Sequence, residues 1–154
     1  MIKLNFPNFS FKIKSKENRD YIFDEVRKKY VILNNEEWVR QNCIKYIIEK
    51  YKYPISHINV EKTLIYNNLK KRYDIVVFDK NGEILILIEC KSTTTKIDQK
   101  TFDQIFRYNL KFQSKFFFIT NGLHHYKFTI DNKSKIIKFI DEFPKYKYWI
   151  IQLL

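Results

Sequence analysis

Asp74, Glu89 and Lys91 are the residues whose types and spacing could do chemistry: fourteen residues separate the two acids, and the lysine stands two places after the second. They lie in segments 71–79 and 83–91, both rich in β-branched and aromatic residues and therefore predicted strands. The link Asp79-Lys80-Asn81-Gly82 ends in Asn-Gly, the strongest short hairpin signal. With Asn81 and Gly82 as a two-residue turn, Lys80 faces Glu83, and stepping back along both strands brings Asp74 opposite Glu89. Carboxylates facing each other on one sheet surface have Cβ atoms roughly 5 Å apart and repel, so something cationic should offset them. Two converging oxygens suit a hard ion such as Mg²⁺ or Mn²⁺, with waters and a substrate group completing its shell. Strand alternation puts Lys91 on the Glu89 face, turns Cys90 to the other side and lays Leu85 and Leu87 beneath. There Lys91 could orient or help deprotonate a water, or meet charge developing on a phosphate. The same residues admit a plainer reading, with Glu89 and Lys91 as a charge pair at a strand end and Asp74 solvated.

The elements that must position these groups can be read on either side. Asn34-Asn35-Glu36-Glu37 predicts a helix start, because Asn34 can cap and Glu37 falls three residues later as in a capping box. The helix runs to about Tyr51 on a stripe of Trp38, Ile44, Ile47, Ile48 and Tyr51, and Pro54 ends it. A strand over 57–66 precedes the hairpin. After the polar stretch 92–95 comes a second helix over about 97–112, then strands over 116–120, 123–130 and 134–140, with another Asn-Gly turn at Asn121 and Gly122. Helix, strands, helix, strands predicts an α/β fold, a central mixed β-sheet flanked by helices. Residues 1–33 read as an extended lead-in with strand character at 30–33, residues 34–146 as the core, and 147–154 as an apolar tail that closes the core or forms a subunit contact. A chain of 154 residues, 45% hydrophobic, with two glycines and three prolines and no internal repeat, is expected to be one domain.

The net charge of +12 suits a protein that meets a polyanion, since lysine and arginine release counterions when they neutralise phosphates. An AT-rich genome would also produce it, and arginine occurs only at 19, 27, 40, 72 and 107. Cys43 and Cys90 lie far apart without metal-ligand spacing and read as reduced thiols. No apolar run is long enough to cross a bilayer and the first residues lack a signal-peptide core, so a cytoplasmic protein without membrane contact is expected. His124 and His125 adjoin a turn and receive no role.

Tyr73-Asp74 followed by Glu89-Cys90-Lys91 resembles the Asp…Glu-x-Lys core of the PD-(D/E)XK nuclease superfamily. More narrowly, the segments 27–30, 36–41, 71–77, 89–91, 99–104, 107–109 and 120–122, in order, resemble the N-terminal nuclease domain of type I restriction enzyme R subunits, over roughly 23–146. The resemblance implies a restriction-endonuclease-like fold and a Mg²⁺ (or Mn²⁺) at Asp74 and Glu89, with the Cys90 carbonyl as a further ligand. It makes Lys91 the catalytic lysine. It relates Gln104 and Tyr108 to the Gln-x-x-x-Tyr motif of RecB-like members, on one helix face, where they would bind the DNA backbone or steady the catalytic strand. It also offers Glu37 as a metal ligand, direct or through water, beside its capping-box reading, and Gln41 shares its face. DNA is the implied substrate, cut as a phosphodiester. The chain has no Gly-x-x-x-x-Gly-Lys loop, so an ATP-driven motor or a specificity subunit would have to come from other chains, and a homodimer is one way to supply two cutting sites. The alternative is a catalytically silent nucleic-acid-binding or assembly module that retains the nuclease fold.

Overall fold

The computed structural model describes residues 1–146, so the apolar tail read at 147–154 lies outside the described residues. Chain order runs β1 (Ile13–Lys16), β2 (Arg19–Asp24), β3 (Lys29–Ile32), α1 (Asn35–Lys45), β4 (Ile58–Tyr66), β5 (Leu69–Phe78), β6 (Ile84–Cys90), α2 (Gln99–Phe112), β7 (Phe116–Thr120), β8 (His125–Asp131) and β9 (Ile136–Phe139). Strands β4 to β9 form one six-stranded mixed sheet in chain order. Its single parallel pair, β6 with β7, is bridged by α2, because parallel neighbours need a crossover. This is the expected α/β, restriction-endonuclease-like architecture. Among the described residues no helix is long and apolar enough to cross a membrane.

Each sheet face has its own core. Against one face α1 packs Val39, Cys43 and Ile44, and the turn after it Ile47, onto Ile75, Val77, Ile86, Ile88 and Cys90. Against the other, Ile105 of α2 meets Tyr73, Val76, Leu87, Phe117 and Ile119. Burying each large apolar side chain contributes about 1.5–3 kcal/mol, which makes the sandwich a stiff frame. Asn34 caps α1 by accepting from Glu37 N at 2.8 Å, and a π-helical turn at Tyr46–Lys50 carries the helix to Tyr51.

Residues 1–33 are more than a lead-in: β1, β2 and β3 make an antiparallel sheet of their own. The sequence hides the first turn because Glu17 (φ +53) and Asn18 (φ +60) take the left-handed conformations that a two-residue hairpin requires, with no glycine to announce them.

The β5–β6 hairpin reaches its expected register by an unexpected route. Gly82 N donates to Asp79 O and Asp79 N to Glu83 O, so the loop has three residues, with Gly82 at φ +77. Phe78 therefore pairs with Ile84, one residue out of the expected register, and a bulge between Val77 and Phe78 restores it at Val77↔Ile86 and Ile75↔Ile88. The restored register brings Asp74 to Glu89, one step past the last paired residues, Ile75 and Ile88. Leu85 does not lie beneath Glu89 as expected: the bulge turns it into the α1-side core with Ile86, and only Leu87 stays on the α2 side.

Candidate active site

Asp74 sits at a gap in a strand ladder. β4 and β5 pair at Val60↔Ile75 and at Lys62↔Tyr73, but the intervening pair of Glu61 and Asp74 is absent, and Glu61 has φ +54. A non-glycine residue held in that region costs on the order of 1–3 kcal/mol and persists only where its surroundings over-determine it. Two guanidinium groups do so: Arg27 Nη1 lies 3.3 Å from Glu61 Oε2, and Arg40 Nη1 4.0 Å from Oε1. Face alternation breaks at the same place. Tyr73 and Val76, three residues apart, both pack on the α2 side.

Asp74 joins three elements. Its Oδ2 accepts from Cys90 N at 2.7 Å, tying β5 to β6, and its Oδ1 accepts from Arg40 Nη2 of α1 at 3.0 Å. With its side chain 16% exposed it is not a solvated acid, so that part of the plainer reading does not hold. Glu89 is 7% exposed, and its carboxyl is pushed up to about 7, by burial first and by Asp74 second, with Lys71 and Lys91 pulling it back. Its ion-pair partner is Lys71 rather than Lys91: Lys71 Nζ stands 3.1 Å from Glu89 Oε1. Among the described residues buried Oε1 has no hydrogen bond or ion pair to any other residue. Lys91 donates its backbone N–H to Thr120 O at 2.8 Å, and among the described residues its ammonium has no carboxylate within ion-pair distance. The residues after Lys91 line two clefts, Ser92 with Glu36, Arg40 and Glu61 one of about 540 Å³, and Thr93–Ile97 with Asn121 and His124 another of about 320 Å³; Lys91, Asp74 and Glu89 line neither.

Behind Asp74 lies a buried polar network. Fully buried Asp24 accepts from Arg27 Nε and from Gln41 Nε2, each at 2.7 Å. Arg27 continues to Glu37 at 2.6 Å, and Arg40 meets the other Glu37 oxygen at 2.5 Å. Glu37 is thus held by Arg27, Arg40 and Gln41, and the reciprocal half of the capping box is not its contact. Gln41 is 3% exposed inside this network, in a supporting position away from solvent. Attraction to Glu37 and Asp74 outweighs the burial that opposes charge on Arg40 and raises its pKa.

Among the described residues, buried side-chain atoms without a hydrogen-bond partner are Arg40 Nε, Tyr73 Oη and Glu89 Oε1, and all three lie at this site. Such atoms call for water or a ligand. Asp74 and Glu89, whose Oε1 has only the Lys71 ammonium beside it, fit a Mg²⁺-like ion, which takes one or two protein carboxylates and completes its shell with water and phosphate. Glu37 fits less well, since three side chains, Arg27, Arg40 and Gln41, hold it against one, Arg40, on Asp74, and no set of three His, Cys, Asp or Glu gathers around one point among the described residues. Cys90 turns its buried thiol to Cys43 on the α1 side, as alternation predicts.

On α2, Tyr108 comes near the site through Lys71, whose Nζ lies 5.7 Å from its ring centre and 5.3 Å from that of Tyr73. Gln104 is exposed one turn earlier. His125 is structural, its ring nitrogens 2.7 Å from Thr120 Oγ1 and 2.6 Å from Asn5 O. Sequence reasoning missed Asp24, Arg27, Arg40, Glu61 and Lys71. A signal existed for two of them: where lysine is the default cation, Arg27 and Arg40 stand out, because only a planar fork can bridge several carboxylates at once.

The family model described as Type I restriction enzyme R protein N terminus matches residues 35–144, most of the chain and all of the site from α1 onward. No curated protein matches the chain.

Proposed function

The chain belongs to the family of the type I restriction enzyme R protein N terminus, and from that premise we propose that it is a metal-dependent nuclease domain of the PD-(D/E)XK type that hydrolyses DNA phosphodiester bonds. The family itself points to a restriction nuclease role with DNA as substrate and other subunits in a complex. The observation that carries the finer reading is that, among the described residues, the buried side-chain atoms without a hydrogen-bond partner, Arg40 Nε, Tyr73 Oη and Glu89 Oε1, belong to Glu89 and to neighbours of Asp74 and Glu89.

In this reading Asp74 and Glu89 hold a Mg²⁺ or Mn²⁺ ion, with the Cys90 carbonyl beside them. The bound ion supplies charge neutralisation at the phosphate and a more acidic water. Lys91 orients the attacking water and meets negative charge on the phosphate. Arg40 holds Asp74 in place, and Lys71 offsets the Glu89 charge until substrate and ion arrive. Tyr108 screens Lys71 from solvent, and Gln104 offers an amide to the DNA backbone.

A second reading has its own support. Arg40 on Asp74 and Lys71 on Glu89 already neutralise both acids, as a silent binding module would have them. Plasmid cleavage separates the two. Nicking of supercoiled DNA with Mg²⁺ or Mn²⁺, absent in EDTA and reduced at least about a hundredfold in Glu89→Gln and Lys91→Ala, is the expected result. DNA binding with no cleavage by either ion would replace the enzyme with the silent module.

A further inference from the structure

The β1–β3 sheet carries a surface that the cleavage site does not use. Lys14 pairs with Tyr21, Lys16 with Arg19 and Tyr21 with Ile32, while Phe23, which pairs with Tyr30, donates its N–H to Lys12 O. Alternation sends all of these side chains to one face. The residues between them, Ile22 and Asp24, are completely buried on the other.

The outward face is chemically one-sided. Lys12, Lys14, Lys16 and Arg19 are all exposed there. Both acids of these strands point the opposite way: Asp20 accepts from Ser15 Oγ, and Asp24 from Arg27 and Gln41. Among the cations stands the Tyr30 ring, 38% exposed, with Lys14 Nζ 3.9 Å from its centre and the Phe23 ring against its edge. A basic face free of strand carboxylates fits a polyanion, and an exposed ring set among those cations fits one whose bases are unpaired.

We propose that the outward face of the β1–β3 sheet is a second nucleic-acid surface, which binds a single-stranded stretch of the DNA substrate outside the cleavage site. The four cations take phosphates, and Tyr30 stacks an unpaired base. The inference rests on DNA being the substrate, but binding can be read without cleavage.

The test is fluorescence anisotropy of the full chain with a labelled oligothymidylate and a duplex of equal length, in EDTA, over a salt series. Loss of two phosphate contacts in Lys14→Gln/Lys16→Gln should weaken single-strand binding about tenfold and lower the salt slope by about 1.4. Tyr30→Ala should weaken it at least about fivefold with the slope unchanged. The control Lys133→Gln/Lys135→Gln, which removes equal charge from an exposed turn, should change it less than about twofold. Circular dichroism confirms that each variant is folded. Equal weakening by both lysine pairs, no effect of Tyr30→Ala, or tighter binding of duplex than of single strand would each overturn the proposal. Asp74→Asn, measured in parallel, keeps oligothymidylate binding if the surface is separate. If that variant cleaves like the parent, the cleavage reading fails and this one stands.

Discussion

Burial makes Glu89 a pH-sensitive point of the metal-free fold. Its carboxyl, with an ordinary value of 4.5, titrates at about 7 in the folded chain. Between those values the folded state binds a proton that the unfolded chain has released, so stability falls as pH rises from about 4.5 to about 7 and is level above. Glu89→Gln should therefore stabilise the protein relative to wild type at pH 8 but not at pH 4.5, by on the order of 1–3 kcal/mol. Urea unfolding in EDTA at the two pH values checks this, and an equal difference at both would mean that Lys71 keeps Glu89 ionised throughout. Asp74 behaves differently because it serves as a hydrogen-bond hub. Asp74→Ala strands Cys90 N–H and Arg40 and should cost about 2–4 kcal/mol, whereas Asp74→Asn keeps one acceptor but turns its NH2 towards either Cys90 N–H or Arg40, and should lower the denaturant midpoint by less than alanine does.

At the scale of elements, two local devices set the site. Asn34 caps α1, the helix that brings Glu37, Arg40 and Gln41 to Asp74. Asn34→Ala should cost about 1 kcal/mol in thermal or chemical unfolding. Gly122, at φ +85, turns β7 into β8, and a Cβ built there would come 2.8 Å from Leu4 Cδ2 and 3.0 Å from Val39 Cγ2. Gly122→Ala should cost about 1–3 kcal/mol, from strain and displacement of Leu4 together, and a loss of less than a few tenths would show that the N-terminal segment yields freely. The hairpin teaches a different lesson. Asn-Gly announced its position, and facing of Asp74 and Glu89 followed, but the loop has one residue more than the signal implies and the bulge at Leu85 compensates. A loop's length and a bulge's place both depend on how the strands pack, so neither could be read from the hairpin alone.

Across the whole molecule, the N-terminal sheet and the central sandwich meet through Arg27, which spans Asp24 of β2, Glu37 of α1 and Glu61 of β4. Arg27→Met leaves three carboxylates facing one another with one cation removed, and should cost about 3 kcal/mol in denaturant unfolding. A change under about 0.5 kcal/mol would mean that the two sheets are held together by other contacts. Periodicity, turn residues and capping acids by themselves determined the α/β class, the positions of α1, α2 and the strands from β4 onward, and the meeting of Asp74 with Glu89. These are local or nearest-neighbour properties, and short-range sterics and hydrophobic spacing encode them directly. Only the tertiary structure decided that Arg40 and Lys71 take the two acids, that Glu61 breaks a ladder to reach two arginines, and that Glu37 faces a buried network. Those contacts join residues up to several elements apart, and which long side chain meets which charge depends on the packing of whole layers rather than on spacing along the chain.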